Sequence, residues 1–184
     1  MKSIEIVINS LNLNYMKPIV SIIMGSTSDL AVMEKAAQFL NDMQVPFEIN
    51  ALSAHRTPEA VELFAKGARE RGIKVIIAGA GMAAALPGVI AANTTLPVIG
   101  VPIKGSCFDG MDAMLSIIQM PPGIPVATVG VNGAQNAAIL AVEMISLYDE
   151  KLAEKFAAYK SGLKAKIEKA NADLAEVKFD FKCN

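Results

Sequence analysis

The sequence predicts a three-layer α/β domain built on a parallel sheet, and two patterns support this prediction. Short apolar runs of strand length alternate along the chain with segments in which apolar residues recur at three- and four-residue steps, the spacing of an amphipathic helix. Strands that alternate with helices are joined by right-handed crossovers, which place helices on both faces of the sheet. The chain has 184 residues, enough for one domain with a sizeable core.

The first strand and the first helix are predicted from residues 18–43. The run "PIVSIIM", residues 18–24, is almost entirely apolar, as expected of a strand buried on both faces. The segment after it places apolar residues on one helical face: Leu30, Met33, Ala37, Leu40 and Met43. Either Ser28 or Asp29 offers the side-chain oxygen that would cap the first turn of this helix.

Residues 47–52 form the second predicted strand, which ends at "SAHRTP". There Thr57 can occupy the N-cap position and Pro58 the first helical position, where a missing backbone N–H is tolerated. This helix is predicted to stop at Gly72. A third strand, "IKVIIAG" at residues 73–79, follows it and is again dominated by apolar side chains.

The remaining core elements repeat the alternation. A loop of small residues, "AGAGMAAALPG", runs into a helix, after which a strand is predicted at residues 97–102 and a helix at 109–119. A fifth strand is predicted at residues 125–129 and a helix at 132–150. The sheet is therefore expected to have five parallel strands.

The two ends of the chain extend this core. Beyond Asp149, a charged helix of about residues 150–175 carries one apolar stripe: Leu152, Phe156, Tyr159, Leu163, Ile167, Ala170 and Leu174. The stripe can pack on its own domain or on a neighbouring subunit, and both options stay open. Residues 1–15 have no place in the alternation, so we interpret them as an optional or disordered extension to a single domain of residues 16–184.

The charge balance and the cysteines exclude several functional classes. With 17 basic and 18 acidic side chains the net charge is −1, and no basic patch indicates a nucleic-acid partner. The two cysteines, Cys107 and Cys183, have no metal-binding spacing, and with a single histidine we expect no metal site. We expect both to be free thiols in a reducing cytoplasm.

Apolar residues are abundant but are not arranged to cross a membrane. The N-terminal residues lack the continuous apolar core of a secretory signal, and no apolar run reaches the roughly 18 residues of a membrane span. The apolar share is nevertheless 53% and the mean hydropathy is +0.40. We expect subunit interfaces of a homo-oligomer to cover the surplus apolar surface.

Four motifs follow the predicted strands in turn and are expected to converge on one pocket. They are "GSTSD", "SAHRTP", "AGAGMAAALPG" and "GSCFDG". In an open parallel sheet the ligand crevice lies beyond the carboxyl ends of the strands, where these loops would meet.

The first two motifs indicate an anion site next to an acid-base group. "GSTSD" places hydroxyls and backbone N–H groups at a helix N-terminus, which favours a phosphate, whereas Asp29 is better suited to accept hydrogen bonds from sugar hydroxyls. Arg56 offers forked cationic donors, and beside it stands the only histidine, His55, the residue type most used for acid-base chemistry near neutral pH. The alternative is structural: helix capping at the first motif, and a solvated Arg56 beside a turn-capping His55 at the second.

These motifs, in this order and spacing, resemble those of a known family. Together with "SIIQMPPGIPVATV" and "NAAILA" they are similar to 5-(carboxyamino)imidazole ribonucleotide mutase of bacterial purine biosynthesis, over about Lys17 to Tyr148. The resemblance implies a flavodoxin-like sheet, a homo-octamer with active sites shared between subunits, a small ribonucleotide as substrate, and no cofactor.

The resemblance also implies a reaction and a set of residues. The reaction moves a carboxylate from the exocyclic nitrogen of an aminoimidazole ribonucleotide to ring carbon 4, through loss and recapture of carbon dioxide. His55 would act as both acid and base, since a single proton goes out and returns. Residues implied to bind the ribonucleotide are Ser26, Asp29 and Arg56, with Ser28, Ser53 and Gly81 as wall or phosphate contacts.

Two positions depart from the family pattern, and two other functions remain. Many relatives have Gly and His where this chain has Met82 and Ala85, so a second imidazole is absent here. The nearest alternative is a carboxylase that adds carbon dioxide directly to aminoimidazole ribonucleotide. Sequences of that class usually resemble "AHKT" and lack "AGAG" and "LPG", so Arg56 and residues 79–88 favour the mutase. An alternative of another class is a noncatalytic nucleotide-binding module.

Overall fold

The computed structural model describes residues 17–183. Its strands are β1 (Val20–Met24), β2 (Phe47–Ala51), β3 (Val75–Gly81), β4 (Val98–Ile103) and β5 (Ala127–Thr128). Its helices are α1 (Leu30–Asp42), α2 (Pro58–Gly67), α3 (Leu86–Ala92), α4 (Met111–Ile118), α5 (Ala134–Ser146) and α6 (Glu150–Ala175). Strands and helices alternate as far as α5, and α6 is the predicted C-terminal helix.

The sheet has the strand order β2-β1-β3-β4-β5, and every neighbouring pair of strands is parallel. Val20 of β1 pairs with Phe47 of β2 on one side and with Val75 of β3 on the other. The chain thus adds β2 on one side of β1 and then β3, β4 and β5 on the other, which is the flavodoxin-like order. The predicted fold class is confirmed. This order opens a crevice at the carboxyl ends of β1 and β3, where the connections leave in opposite directions.

The helices form two layers, one on each face of the sheet. α1, α5 and α6 pack on one face, and α2, α3 and α4 pack on the other. Side chains of β1 alternate between the layers, so that Ile22 and Met24 contact the first and Ile23 the second. Every residue of β1 is buried because both faces are covered, which accounts for its apolar sequence.

Several element ends differ from the prediction by one to four residues, and two elements differ in a way that has a local cause. β5 has two residues rather than five, since Pro125 has no backbone N–H with which to extend the ladder. α2 ends at Gly67 rather than Gly72. Gly72 instead lies in a turn after the helix, where its φ of 97° suits glycine and directs the chain towards β3.

The segment before α1 differs from the predicted cap. Asp29 precedes the helix but its side chain makes no capping hydrogen bond. Residues Thr27–Asp29 instead form a 3₁₀ turn, and Ser26 Oγ accepts a hydrogen bond from the backbone N–H of Ser28 at 3.3 Å. The prediction that Ser28 or Asp29 caps α1 is therefore wrong, because the extra turn moves the capping side chain back to Ser26.

α6 packs on its own domain along its first part. Leu152 and Phe156 are buried, and the ring of Tyr159 meets Phe39 of α1 edge-on, with centroids 5.0 Å apart. Further along the helix the stripe is uncovered, and Ile167 is 65% exposed. The helix therefore docks on its own subunit and still presents apolar surface outward.

Two sequence expectations concern the rest of the chain. The predicted extension at residues 1–15 lies outside the described residues. Among residues 17–183, no helix combines the length and the apolar character that a membrane crossing requires.

Candidate active site

A cleft of about 830 Å³ opens at the carboxyl ends of the strands. Loops that follow β1, β2, β3 and β4 line it, so the four motifs converge as the sequence predicts. All seven predicted site residues contribute to its lining: Ser26, Ser28, Asp29, Ser53, His55, Arg56 and Gly81. The fold thus brings together residues that are up to 55 positions apart in the chain, from Ser26 to Gly81.

Arg56 joins the loops after β1 and β2. Its Nη2 donates a hydrogen bond to the carbonyl oxygen of Gly25 at 3.1 Å, and its Nε donates to Ser53 Oγ at 3.3 Å. Among the described residues the third guanidinium nitrogen, Nη1, has no hydrogen-bond partner. Arg56 is therefore not merely a solvated charge, because it is oriented at the cleft with donors left for an anion.

A closed turn carries His55. Thr57 Oγ1 accepts a hydrogen bond from the backbone N–H of Ser53 at 3.0 Å and donates one to the carbonyl oxygen of Ser53 at 3.1 Å. The backbone N–H of Thr57 also donates to that carbonyl, at 2.8 Å. Thr57 precedes Pro58 at the start of α2, as predicted, but its hydroxyl closes this turn instead of capping the helix. The turn holds the exposed His55 at the edge of the cleft.

The "GSTSD" loop supplies the opposite polar edge. Ser28 Oγ donates a hydrogen bond to Asp29 Oδ1 at 3.4 Å, and the backbone N–H of Asp29 donates to the carbonyl oxygen of Ser26 at 3.1 Å. Partial burial raises the pKa of the Asp29 carboxyl, and its hydrogen bonds at Ser26 and Ser28 oppose that shift. A half-buried carboxylate with spare acceptor capacity is suited to sugar hydroxyls.

The loop after β3 forms a wall of small residues. A Cβ on Gly81 would lie 3.1 Å from the carbonyl oxygen of Ile103, so a side chain there would press on β4. Two residues that follow it, Met82 and Ala84, have positive φ angles of 56° and 33°. The backbone of this wall therefore runs close to β4 and turns sharply at the cleft.

Lys104 and Asn132 also line the cleft, and sequence reasoning missed both. The backbone N–H of Lys104 donates to Asn132 Oδ1 at 3.0 Å, which ties the end of β4 to the loop before α5. Lys104 Nζ pairs with Asp109 Oδ1 at 2.7 Å and lowers the pKa of that carboxyl. The position of Lys104 in the sequence could have indicated its place in the cleft, because this residue directly follows β4 at the edge of the sheet where the other site residues cluster.

The described residues offer no metal-binding cluster. No group of three or more His, Cys, Asp or Glu side chains comes together between residues 17 and 183. Cys107 and Cys183 are free and exposed.

The sequence profile of the AIR carboxylase family matches residues 19–166. The chain belongs to this family. Among AIR carboxylase relatives, the N5-carboxyaminoimidazole ribonucleotide mutase of Pyrococcus abyssi is 58% identical over 147 residues, which cover 80% of this chain and 84% of the relative. The family resemblance of the motifs is thereby confirmed.

Other members of the AIR carboxylase family differ in size and name. The phosphoribosylaminoimidazole carboxylase of Saccharomyces cerevisiae is 58% identical over 139 residues, which cover 76% of this chain but 24% of the yeast protein. The crystal structure of Treponema denticola PurE matches with a TM-score of 0.78 at 33% identity, covering 85% of this chain and 98% of that one. The Treponema protein therefore shares the fold of this chain over almost its whole length.

Proposed function

We propose that this AIR carboxylase family chain is an isomerase of purine biosynthesis, on the route to IMP. It moves the carboxylate of 5-(carboxyamino)imidazole ribonucleotide from the exocyclic nitrogen to ring carbon 4. The observation that carries the proposal is the meeting of one imidazole, His55, with Arg56 and Asp29 in a single cleft. The reaction needs one mobile proton and a clamp for an anionic ribonucleotide, and these residues supply both.

His55 handles the proton in both stages. As the bond between nitrogen and the carboxylate breaks, carbon dioxide leaves and protonated His55 donates its proton to the exocyclic nitrogen. Ring carbon 4 of the resulting aminoimidazole then attacks the carbon dioxide, and neutral His55 removes the proton from that carbon. The proton and electron counts balance, so one imidazole serves the whole cycle.

The polar wall of the cleft holds the ribonucleotide. Arg56 offers its remaining donors to the phosphate, and Asp29 accepts hydrogen bonds from the ribose hydroxyls. The side chains of Ser26, Ser28 and Ser53 add hydroxyls on the same side of the cleft. Gly81, without a side chain, lets the ligand approach the backbone closely.

The small-residue loop retains carbon dioxide between the two stages. Residues 80–86 present mainly glycine and alanine to the cleft, with no charged side chain among them. A closed, water-poor pocket prevents carbon dioxide from escaping or hydrating before ring carbon 4 captures it.

A direct carboxylase is the second candidate, favoured by the carboxylase name of the yeast relative at 58% identity. The test measures ultraviolet-monitored turnover on two substrates separately: the carboxyamino ribonucleotide at low bicarbonate, and aminoimidazole ribonucleotide with bicarbonate. Efficient turnover of the first supports the mutase. Turnover of the second alone supports the carboxylase, and tight binding of either without turnover supports a noncatalytic module.

We also propose that the active form is a homo-oligomer, an octamer, in the cytoplasm. The apolar stripe of α6 and the high apolar share of the chain support an assembly, since exposed apolar surface of this kind is usually covered by a partner. Two free and exposed cysteines suit a reducing compartment.

A further inference from the structure

Met82 combines an unfavourable backbone with an exposed apolar side chain. Its φ of 56° lies in the left-handed region, which residues other than glycine, asparagine and aspartate seldom adopt. Its side chain is 70% exposed. A glycine would fit this backbone at lower cost, and strain of this kind persists mainly at functional sites.

The side chain of Met82 lies at the wall of the cleft. A Cβ on Gly105, in the loop after β4, would lie 3.7 Å from Met82 Cγ, so the side chain extends from the loop after β3 towards the loop after β4. Leu86 and Ile103 also line this wall, but they are buried, at 2% and 6% exposure. Val32 lines the cleft as well and is half-buried, so among the described residues Met82 is the largest apolar side chain of the cleft that a ligand can still cover.

We propose that Met82 binds the aminoimidazole ring of the substrate, an inference that rests on the proposed function and extends it to the heterocycle. The charged groups on the other wall, Arg56 and Asp29, suit the phosphate and ribose, which leaves the heterocycle for the small-residue wall. A thioether is polarizable and packs favourably against an aromatic ring. The strained backbone is retained because it directs this side chain at the ring.

Gln44 provides a matched control, since its φ is also 56°. At Gln44 the left-handed backbone terminates α1. The backbone N–H of Gln44 donates a hydrogen bond to the carbonyl oxygen of Asn41, and the backbone N–H of Val45 donates one to the carbonyl oxygen of Leu40. This is the hydrogen-bond pattern of a Schellman motif, in which glycine is the usual residue. Gln44 does not line the cleft, so its strain has a structural cause.

Three variants distinguish the effect of the Met82 side chain from the effect of its backbone strain. Met82→Gly removes both, and Met82→Ala removes the side chain and keeps the strain. Gln44→Gly removes left-handed strain elsewhere, together with one exposed hydrogen bond that Lys155 Nζ donates to Gln44 Oε1 at 2.9 Å. Each is compared with the wild type for the midpoint of thermal unfolding at one fixed protein concentration, and for affinity towards aminoimidazole ribonucleotide and ribose 5-phosphate by calorimetry or competitive inhibition. Turnover by the wild type, measured in parallel, tests the proposed function separately.

We expect Met82→Gly and Met82→Ala to weaken aminoimidazole ribonucleotide binding about tenfold, which corresponds to about 1.4 kcal/mol, and to leave ribose 5-phosphate binding unchanged. Met82→Gly and Gln44→Gly should each raise the unfolding midpoint by about 2–4 °C, and Met82→Ala should not. Two results overturn the inference even where the wild type turns over its substrate. One is an equal loss of affinity for aminoimidazole ribonucleotide and ribose 5-phosphate, and the other is an unchanged affinity for aminoimidazole ribonucleotide in both Met82 variants.

Discussion

His55 owes its position to its neighbours rather than to its own hydrogen bonds. Ser53 and Thr57 close the turn around it, and no described residue hydrogen-bonds to its ring. A ring held in this way remains available to a ligand on either nitrogen. At the scale of the residue, the backbone turn supplies the orientation, and in the proposed mechanism the imidazole transfers the proton.

Replacement of His55 by asparagine tests this division. Because asparagine cannot transfer the proton, we expect His55→Asn to lower kcat by at least about 10²–10⁴-fold. The turn is closed by other side chains, so aminoimidazole ribonucleotide should still bind. Single-turnover kinetics and calorimetry measure the two quantities, and turnover close to that of the wild type would remove His55 from the mechanism.

The raised pKa of Asp29 predicts that the stability of the fold depends on pH. Burial raises the pKa of its carboxyl, so the folded state binds this proton more tightly than the unfolded state does. Ionisation of Asp29, as the pH rises from its ordinary pKa through the raised one, therefore lowers the free energy of unfolding. Asp29→Asn should be more stable than the wild type at pH 7. The difference should shrink as the pH falls through the raised pKa, and reach its minimum below the ordinary carboxyl pKa of about 3.9. Urea unfolding at both pH values measures this, and an equal difference at both would contradict it.

The sequence predicts the identity of site residues better than their conformation. Ser26 follows the apolar strand β1, and His55 and Arg56 follow the edge strand β2, whose residues alternate between apolar and polar. Topology alone brings such positions to one edge of the sheet. The left-handed backbone of Met82 and the contact of Asn132 with Lys104 depend on how two loops pack together. The residue types do not indicate how two loops pack together. For this reason the cleft includes residues, such as Lys104 and Asn132, that none of the motifs contains.

At the scale of the element, β4 depends on glycine for its contact with α4. A Cβ on Gly100 would lie 2.5 Å from Ile117 Cγ2 and 2.9 Å from Val126 Cγ1. Both neighbours are branched side chains with few rotamers, so they cannot easily move aside. The missing side chain in β4 therefore allows α4 to lie close to the sheet.

Gly100→Ala should lower the free energy of unfolding by about 1–3 kcal/mol, the usual cost of overpacking a core. Gly130→Ala is the control, because a Cβ there meets no atom within 4 Å. We expect that control to change stability by less than about 0.5 kcal/mol. Chemical denaturation measures both, and equal effects of the two substitutions would argue against the packing explanation.

Element ends are the part of the fold that the sequence predicts least well. Pro125 accounts for the late start of β5, but the apolar run at 125–129 gives no indication that pairing stops at Thr128, since that end depends on the geometry of β4 next to it. Likewise, the 3₁₀ turn at Thr27–Asp29 inserts a turn that capping preferences alone do not reveal. The number, order and type of elements follow from periodicity, whereas their ends follow from tertiary contacts.

At the scale of the whole molecule, the outer part of α6 is one of the apolar surfaces that a single subunit leaves uncovered. Ile167 is exposed there, and Phe181 beyond the helix is 95% exposed. If a neighbouring subunit covers this surface, a charge at Ile167 weakens assembly without affecting the core of the subunit.

Ile167→Asp should therefore yield a lighter species in sedimentation velocity at the same protein concentration. Lys169→Asp introduces the same carboxylate two positions along, on a different side of the helix, and should sediment like the wild type. A wild-type monomer at micromolar concentration would refute the proposed oligomer outright.

All described parts of the cleft lie at one end of the sheet, and Lys17 enters the fold at the other. The five residues of β1 separate the two ends by about 15 Å. A fused domain or an affinity tag joined directly to Lys17, in place of residues 1–16, would therefore be attached on the side away from the cleft. Surface immobilisation through that end should leave the cleft open to solvent, which makes it the natural handle for ligand-binding measurements on a tethered protein.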